Sequence, residues 1–141
     1  MRTPVKPSSL AQIGALFVLM ASFLSAQYSV VFVADDLGNV VRFMDGQTNG
    51  TALGSLSGSG FSASQVLGIA YDSNTNAVLL FDRAAHTVYS MNAASGIATV
   101  LFTTDLKIFF QGGAVFNNLV YGIYEDTQKI LAYSFDGSNR A

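Results

Sequence analysis

The chain has 141 residues, 50% hydrophobic and only 11% charged, a balance that excludes intrinsic disorder and leaves room for a single domain. Seven basic residues against nine carboxylates give a net charge of −2, which argues against nucleic acid as a partner. There is no cysteine, so packing alone must hold the fold.

At the start of the chain, Arg2 and Lys6 precede an apolar run from Leu10 to Leu24, and the small residues Ser25 and Ala26 follow. That order is the layout of a secretory signal peptide over residues 1–26, with cleavage expected after Ala26. The run is interrupted by Gln12 and Gly14 and is shorter than the ~20 residues a bilayer-spanning helix needs. The expected product is therefore secreted into the extracellular space, with no membrane span after cleavage. Residues 27–141 carry five cations and nine carboxylates, a net charge of −4.

From there the apolar residues come in short runs, rich in β-branched and aromatic types and separated by Gly, Asn, Asp and Ser. Such runs read as strands and turns. In chain order the expected strands are Tyr28–Ala34, Val40–Asp45, Thr51–Leu56, Leu67–Asp72, Ala77–Phe81, Thr87–Asn92, Ala98–Phe102, Gly113–Phe116, Leu119–Tyr124 and Ile130–Phe135. No stretch after Ala26 has a helical period. Ala77-Val78-Leu79-Leu80-Phe81 is apolar on both faces, as suits a strand sandwiched between neighbouring sheets. The Gly-Ser tract Gly54–Gly60 reads as a link between the first and second groups of strands.

The sequence also repeats itself. A gapless shift of 44 residues places Gly68 on Gly112, Ala70 on Ala114, Asn74 on Asn118, Asp82 on Asp126 and Tyr89 on Tyr133. A shift of 47 places Asp35 on Asp82, Val41 on Val88 and Met44 on Met91. Four short strands in a unit of ~40–45 residues is the size of a β-propeller blade. The expected fold is all-β, an incomplete β-propeller of about two and a half four-stranded antiparallel blades. Blade I covers about residues 28–56 and lacks its opening strand, blade II about 67–102, and blade III about 112–141, stopping before its fourth strand. A closed ring needs ~4–8 blades, so the expectation is a truncated piece of a longer propeller, or a subunit that associates with other blades through its open edges.

The third copy runs from Gly112-Gly113-Ala114 through Val120-Tyr121-Gly122-Ile123-Tyr124-Glu125-Asp126 to Phe135-Asp136-Gly137-Ser138-Asn139-Arg140. It resembles a class B repeat of the low-density lipoprotein receptor family, which carries a Tyr-Trp-Thr-Asp signature on its second strand and an Asp-Gly-Ser-Asn-Arg ending. The ending matches. The signature positions read Phe32-Val33-Ala34-Asp35, Leu79-Leu80-Phe81-Asp82 and Ile123-Tyr124-Glu125-Asp126, so only the aspartate is kept. Six-bladed propellers of the NHL and gluconolactonase type share much of this pattern. The resemblance implies a non-enzymatic, extracellular protein-binding module; the alternatives are a calcium-dependent propeller lactonase and a truncated product without activity of its own.

The residues themselves offer little catalysis. Asp35, Asp82 and Asp126 recur at equivalent strand ends, and a group repeated in each blade serves a need of each blade, such as accepting turn N–H bonds. Gly68 and Gly112 recur as structural positions. His86 is the sole histidine and follows a turn, and no serine near it sits in a Gly-x-Ser-x-Gly elbow. Asp35-Asp36 and Tyr124-Glu125-Asp126 could offer oxygen ligands to calcium but lack EF-hand spacing, and no cofactor is expected. Phe109-Phe110 is expected in the core rather than in a binding patch. Asn49-Gly50-Thr51 is an N-glycosylation sequon in a polar connection.

Overall fold

In the computed structural model the described residues are 30–56, 65–104, 112–124, 127 and 129–140. The proposed leader, Tyr28, the end of the Gly-Ser tract, Phe109, Phe110, Glu125 and Asp126 lie outside them. The described residues form ten strands: β1 (Val30–Ala34), β2 (Asn39–Met44), β3 (Thr51–Ser55), β4 (Val66–Asp72), β5 (Ala77–Asp82), β6 (Thr87–Asn92), β7 (Ala98–Thr103), β8 (Gly113–Phe116), β9 (Leu119–Tyr124) and β10 (Lys129–Ser134). No described residue is helical, so among the described residues no helix is long and apolar enough to cross a membrane. Apart from β1, whose expected start lies outside the described residues, each strand falls within one residue of its expected limits.

The strands make three antiparallel sheets: sheet I in the order β1-β2-β3, sheet II in the order β4-β5-β6-β7, and sheet III in the order β10-β9-β8. Every pair within a sheet is a hairpin between consecutive strands, so tight turns set the register. The turn between β8 and β9 is only Asn117-Asn118, and both residues hold positive φ (51° and 59°). Two-residue hairpin turns of this kind need that geometry, and asparagine tolerates it better than most side chains.

Sheet II lies between the other two and packs on both. All six residues of β5 are buried, because odd and even positions each face an apolar neighbour. Val78, Leu80, Tyr89 and Met91 pack toward sheet I, meeting Val40, Leu56, Phe32 and Ala34. Leu79, Phe81, Val88 and Phe102 pack toward sheet III, meeting Val120, Tyr133, Val115 and Leu131. The Phe102 and Tyr133 rings stack across that seam with centroids 5.7 Å apart. Leu56 is wholly buried beneath the β1–β2 turn, where Gly38, at φ 76°, leaves no room for a side chain: a Cβ there would fall 2.6 Å from Leu56 Cδ1.

The registers correct the repeat frame. Five residues separate the paired Ala34 and Val40, but six separate the paired Phe81 and Val88. Val40, not Val41, therefore stands where Val88 stands, and a β-bulge follows each of them in the same place. In sheet III the Asn117-Asn118 turn is two residues shorter than the Ser73–Asn76 turn of sheet II. Ala70 pairs with Leu79 and Ala114 with Tyr121, so β9 is displaced two residues from the 44-residue frame. Tyr124 opposite Lys129 thus occupies the place of Asp82 opposite Thr87. Likewise Leu131 stands at the place of Tyr89, and Tyr133 at that of Met91.

Candidate functional site

Two of the recurring carboxylates, Asp35 and Asp82, are engaged by their own turns. Asp35 Oδ1 accepts the backbone N–H groups of Leu37 (3.0 Å) and Asn39 (2.8 Å), and its Oδ2 accepts the Asn39 side-chain amide at 2.5 Å. These bonds, the Asn39 side chain first, hold its carboxyl below the usual carboxylate range. Asp82 is fully buried and accepts Ala85 N–H at 3.0 Å. Asp72, which the repeat comparison did not single out, is also buried and accepts Asn74 N–H (3.0 Å) and the Thr75 hydroxyl (2.5 Å). Burial, with the charge of Asp82 beside it, raises the Tyr89 phenol above its usual pKa.

The two recurring glycines meet. A Cβ on Gly68 would lie 2.6 Å from the Cα of Gly112, so β4 and the start of sheet III approach more closely than any side chain allows. His86, half-buried at φ 52°, ends the Arg83–His86 turn, and its carbonyl accepts both the N–H (2.8 Å) and the hydroxyl (3.2 Å) of Thr104. Asn49 is exposed in the β2–β3 connection, where a glycan has room. Among the described residues no three His, Cys, Asp or Glu side chains gather as a metal site would require.

Where sheets I and II meet, a groove of about 160 Å³ opens, lined by Val30, Phe32, Arg42, Met44, Tyr71 and Asn76 with Ala93 and Ala94. Most of its lining is apolar, with Arg42, Asn76 and the Tyr71 hydroxyl as its polar groups. Arg42 interrupts the apolar run of β2 and points across the seam, donating to the Ala93 carbonyl at 3.4 Å. Tyr71 lies against Phe32, with ring centroids 5.1 Å apart at 32°, and its hydroxyl donates to Asn76 Oδ1 at 2.9 Å. Asn76 holds φ 52°, and that turn geometry presents its side chain to the tyrosine. A planar cation beside exposed aromatic and thioether surface suits a carboxylate carried next to an apolar group. Sequence reasoning missed this site because Arg42 and Tyr71 belong to different repeats. The one signal in the sequence was a lone charge inside the apolar strand Val40-Val41-Arg42-Phe43-Met44.

No family model matches the sequence, and no curated protein does. Solved structures do match the fold. A crystal structure of a nidogen/laminin complex superposes with a TM-score of 0.62 at 14% identity, over 79% of this chain and 41% of that one. A structural genomics protein of unknown function from Bacteroides thetaiotaomicron gives a TM-score of 0.62 at 13% identity, over 81% and 30%. The WD40 β-propeller domain of Doa1 gives 0.56 at 18% identity, over 79% and 36%. The chain spans less than half the length of each of these chains. At such identities the likeness concerns the fold, and that fold is a β-propeller. The three sheets are propeller blades packed face to face, forming part of a ring.

Proposed function

We propose that this chain is an exported, non-enzymatic protein-binding module built from propeller blades of the low-density lipoprotein receptor class B type. The groove between sheets I and II carries the reading. It combines one guanidinium, an exposed tyrosine and apolar walls, which suits an acidic segment of a protein ligand. The turn roles of Asp35 and Asp82 support a binding rather than a catalytic use, since their oxygens accept bonds from their own turns. A nidogen/laminin complex among the matched folds makes laminin and nidogen the first ligands to try.

The test is surface plasmon resonance of the purified chain over laminin, nidogen and a panel of other secreted proteins, with Arg42→Glu beside it. Saturable binding to at least one of them, weakened tenfold or more by Arg42→Glu, is the expected result. Binding to none of them, or calcium-dependent lactone hydrolysis by the purified chain, would overturn the reading.

A further inference from the structure

The two outward faces of the arc are the two halves of a seam the chain already makes twice. Sheet II turns Leu79, Phe81, Val88 and Ala70 toward sheet III. Strand pairing puts Tyr121, Ile123, Ile130 and Ala114 at the same four places in sheet III, and there they face away from sheet II. Ile123 is 42% exposed, Ile130 68%, and Phe116 on the same face 65%. A shallow cleft of about 220 Å³ runs between them, lined almost wholly by apolar surface.

The opposite end has the matching character. Sheet II turns Val78 and Leu80 toward sheet I, and their counterparts in sheet I are Val31 and Val33, which point outward at 56% and 49% exposure. Val41 and Phe43 pair with them and share that face. One end of the arc is therefore a forward blade face and the other a backward blade face. Apolar areas of this kind on a folded chain mark a covered surface.

We propose that a second copy of this chain covers both ends, sheet III of each copy packing on sheet I of the other. Both contacts form at once under a two-fold axis, so the assembly closes instead of growing into a filament. Three blades from each copy make six, within the ~4–8 blades of closed propellers. The contact continues the packing seen at the I–II and II–III seams, and the same classes of side chain meet across it.

Sedimentation velocity and light scattering on the secreted product of this chain, expressed in a secretory host, read the result directly. A species of twice the chain mass is expected. Ile130→Asp and Val33→Asp change exposed residues, so circular dichroism should show each variant folded. Each variant alone should be monomeric, because it keeps one usable face and that face does not fit itself. Mixed one to one, they should regain a two-chain species through the single intact pair of faces. A folded monomeric parent, an open-ended polymer, or a variant that stays dimeric alone would each overturn the proposal.

Discussion

Arg42 donates to the carbonyl of Ala93 at 3.4 Å, tying the second strand of sheet I to the turn after β6 in sheet II. The bond is long and partly buried, so its removal should cost little. Arg42→Ala is expected to lower stability by about 0.5–1.5 kcal/mol, and Arg42→Lys by less. Urea unfolding of the three proteins checks this. A much larger loss would make Arg42 a keystone of the seam rather than a ligand-facing group.

Asp82 and Asp35 share a place in the fold but not an environment. Asp82 is fully buried and Asp35 is exposed. Asp82→Ala leaves a turn N–H without its acceptor and should cost about 1–3 kcal/mol, while Asp82→Asn keeps an acceptor oxygen and should recover part of that. Asp35→Ala should cost less than Asp82→Ala in the same denaturation experiment. Equal losses at the two positions would show that burial does not set their worth.

The Asn39 side chain holds the Asp35 carboxyl low, and the Ser138 side chain does the same for Asp136. Because both folded values lie below the ordinary carboxylate value, their contribution is complete above that value and disappears as pH falls through the folded values. The melting temperature should be flat in this respect from neutral pH down to about pH 4 and fall below it. Replacing Asp35 and Asp136 together by Asn should shrink the acid slope. An unchanged slope would assign acid sensitivity to other groups.

Gly113 receives the Phe81 ring. A Cβ at Gly113 would collide with that ring, whose edge fills the space a side chain would need. Gly113→Ala should destabilise by about 1–3 kcal/mol through overpacking. The added substitution Phe81→Leu should return part of the loss, a non-additivity that a double-mutant cycle measures. Strict additivity would mean that the two positions do not meet.

Export is checked by the N-terminus of the product. Secreted protein should begin at Gln27, read by N-terminal sequencing, and should carry a glycan at Asn49 removable by peptide N-glycosidase. A product that keeps Met1 and stays with the membrane would overturn the secreted reading.

Much of this fold was legible in the sequence. Apolar runs bounded by Gly, Asn and Asp located the strands because each sheet is a simple meander, and β5 announced its burial by having no polar face. The repeat gave the unit size but misplaced residues within it, since a fixed shift cannot register hairpins of unequal length. Val41 was matched to Val88 for want of one turn residue, and Asp126 to Asp82 for want of two. The Arg42–Tyr71 groove left almost no trace. Its parts are joined by the packing of one sheet on the next, which no local pattern encodes.

The meander has a further consequence, for how the chain assembles in time. Each strand finds its hydrogen-bonding partner a few residues away, so each sheet closes from local contacts without threading the chain over a distance. What comes late is the stacking of finished sheets, which rests on side chains and the Gly68–Gly112 contact. Within a single chain, sheet II gains from both neighbours and the outer sheets from one each. In the monomeric Ile130→Asp variant amide hydrogen exchange should therefore be slowest in β5 and β6 and fastest in β1 and β10, grading outward from the middle of the arc.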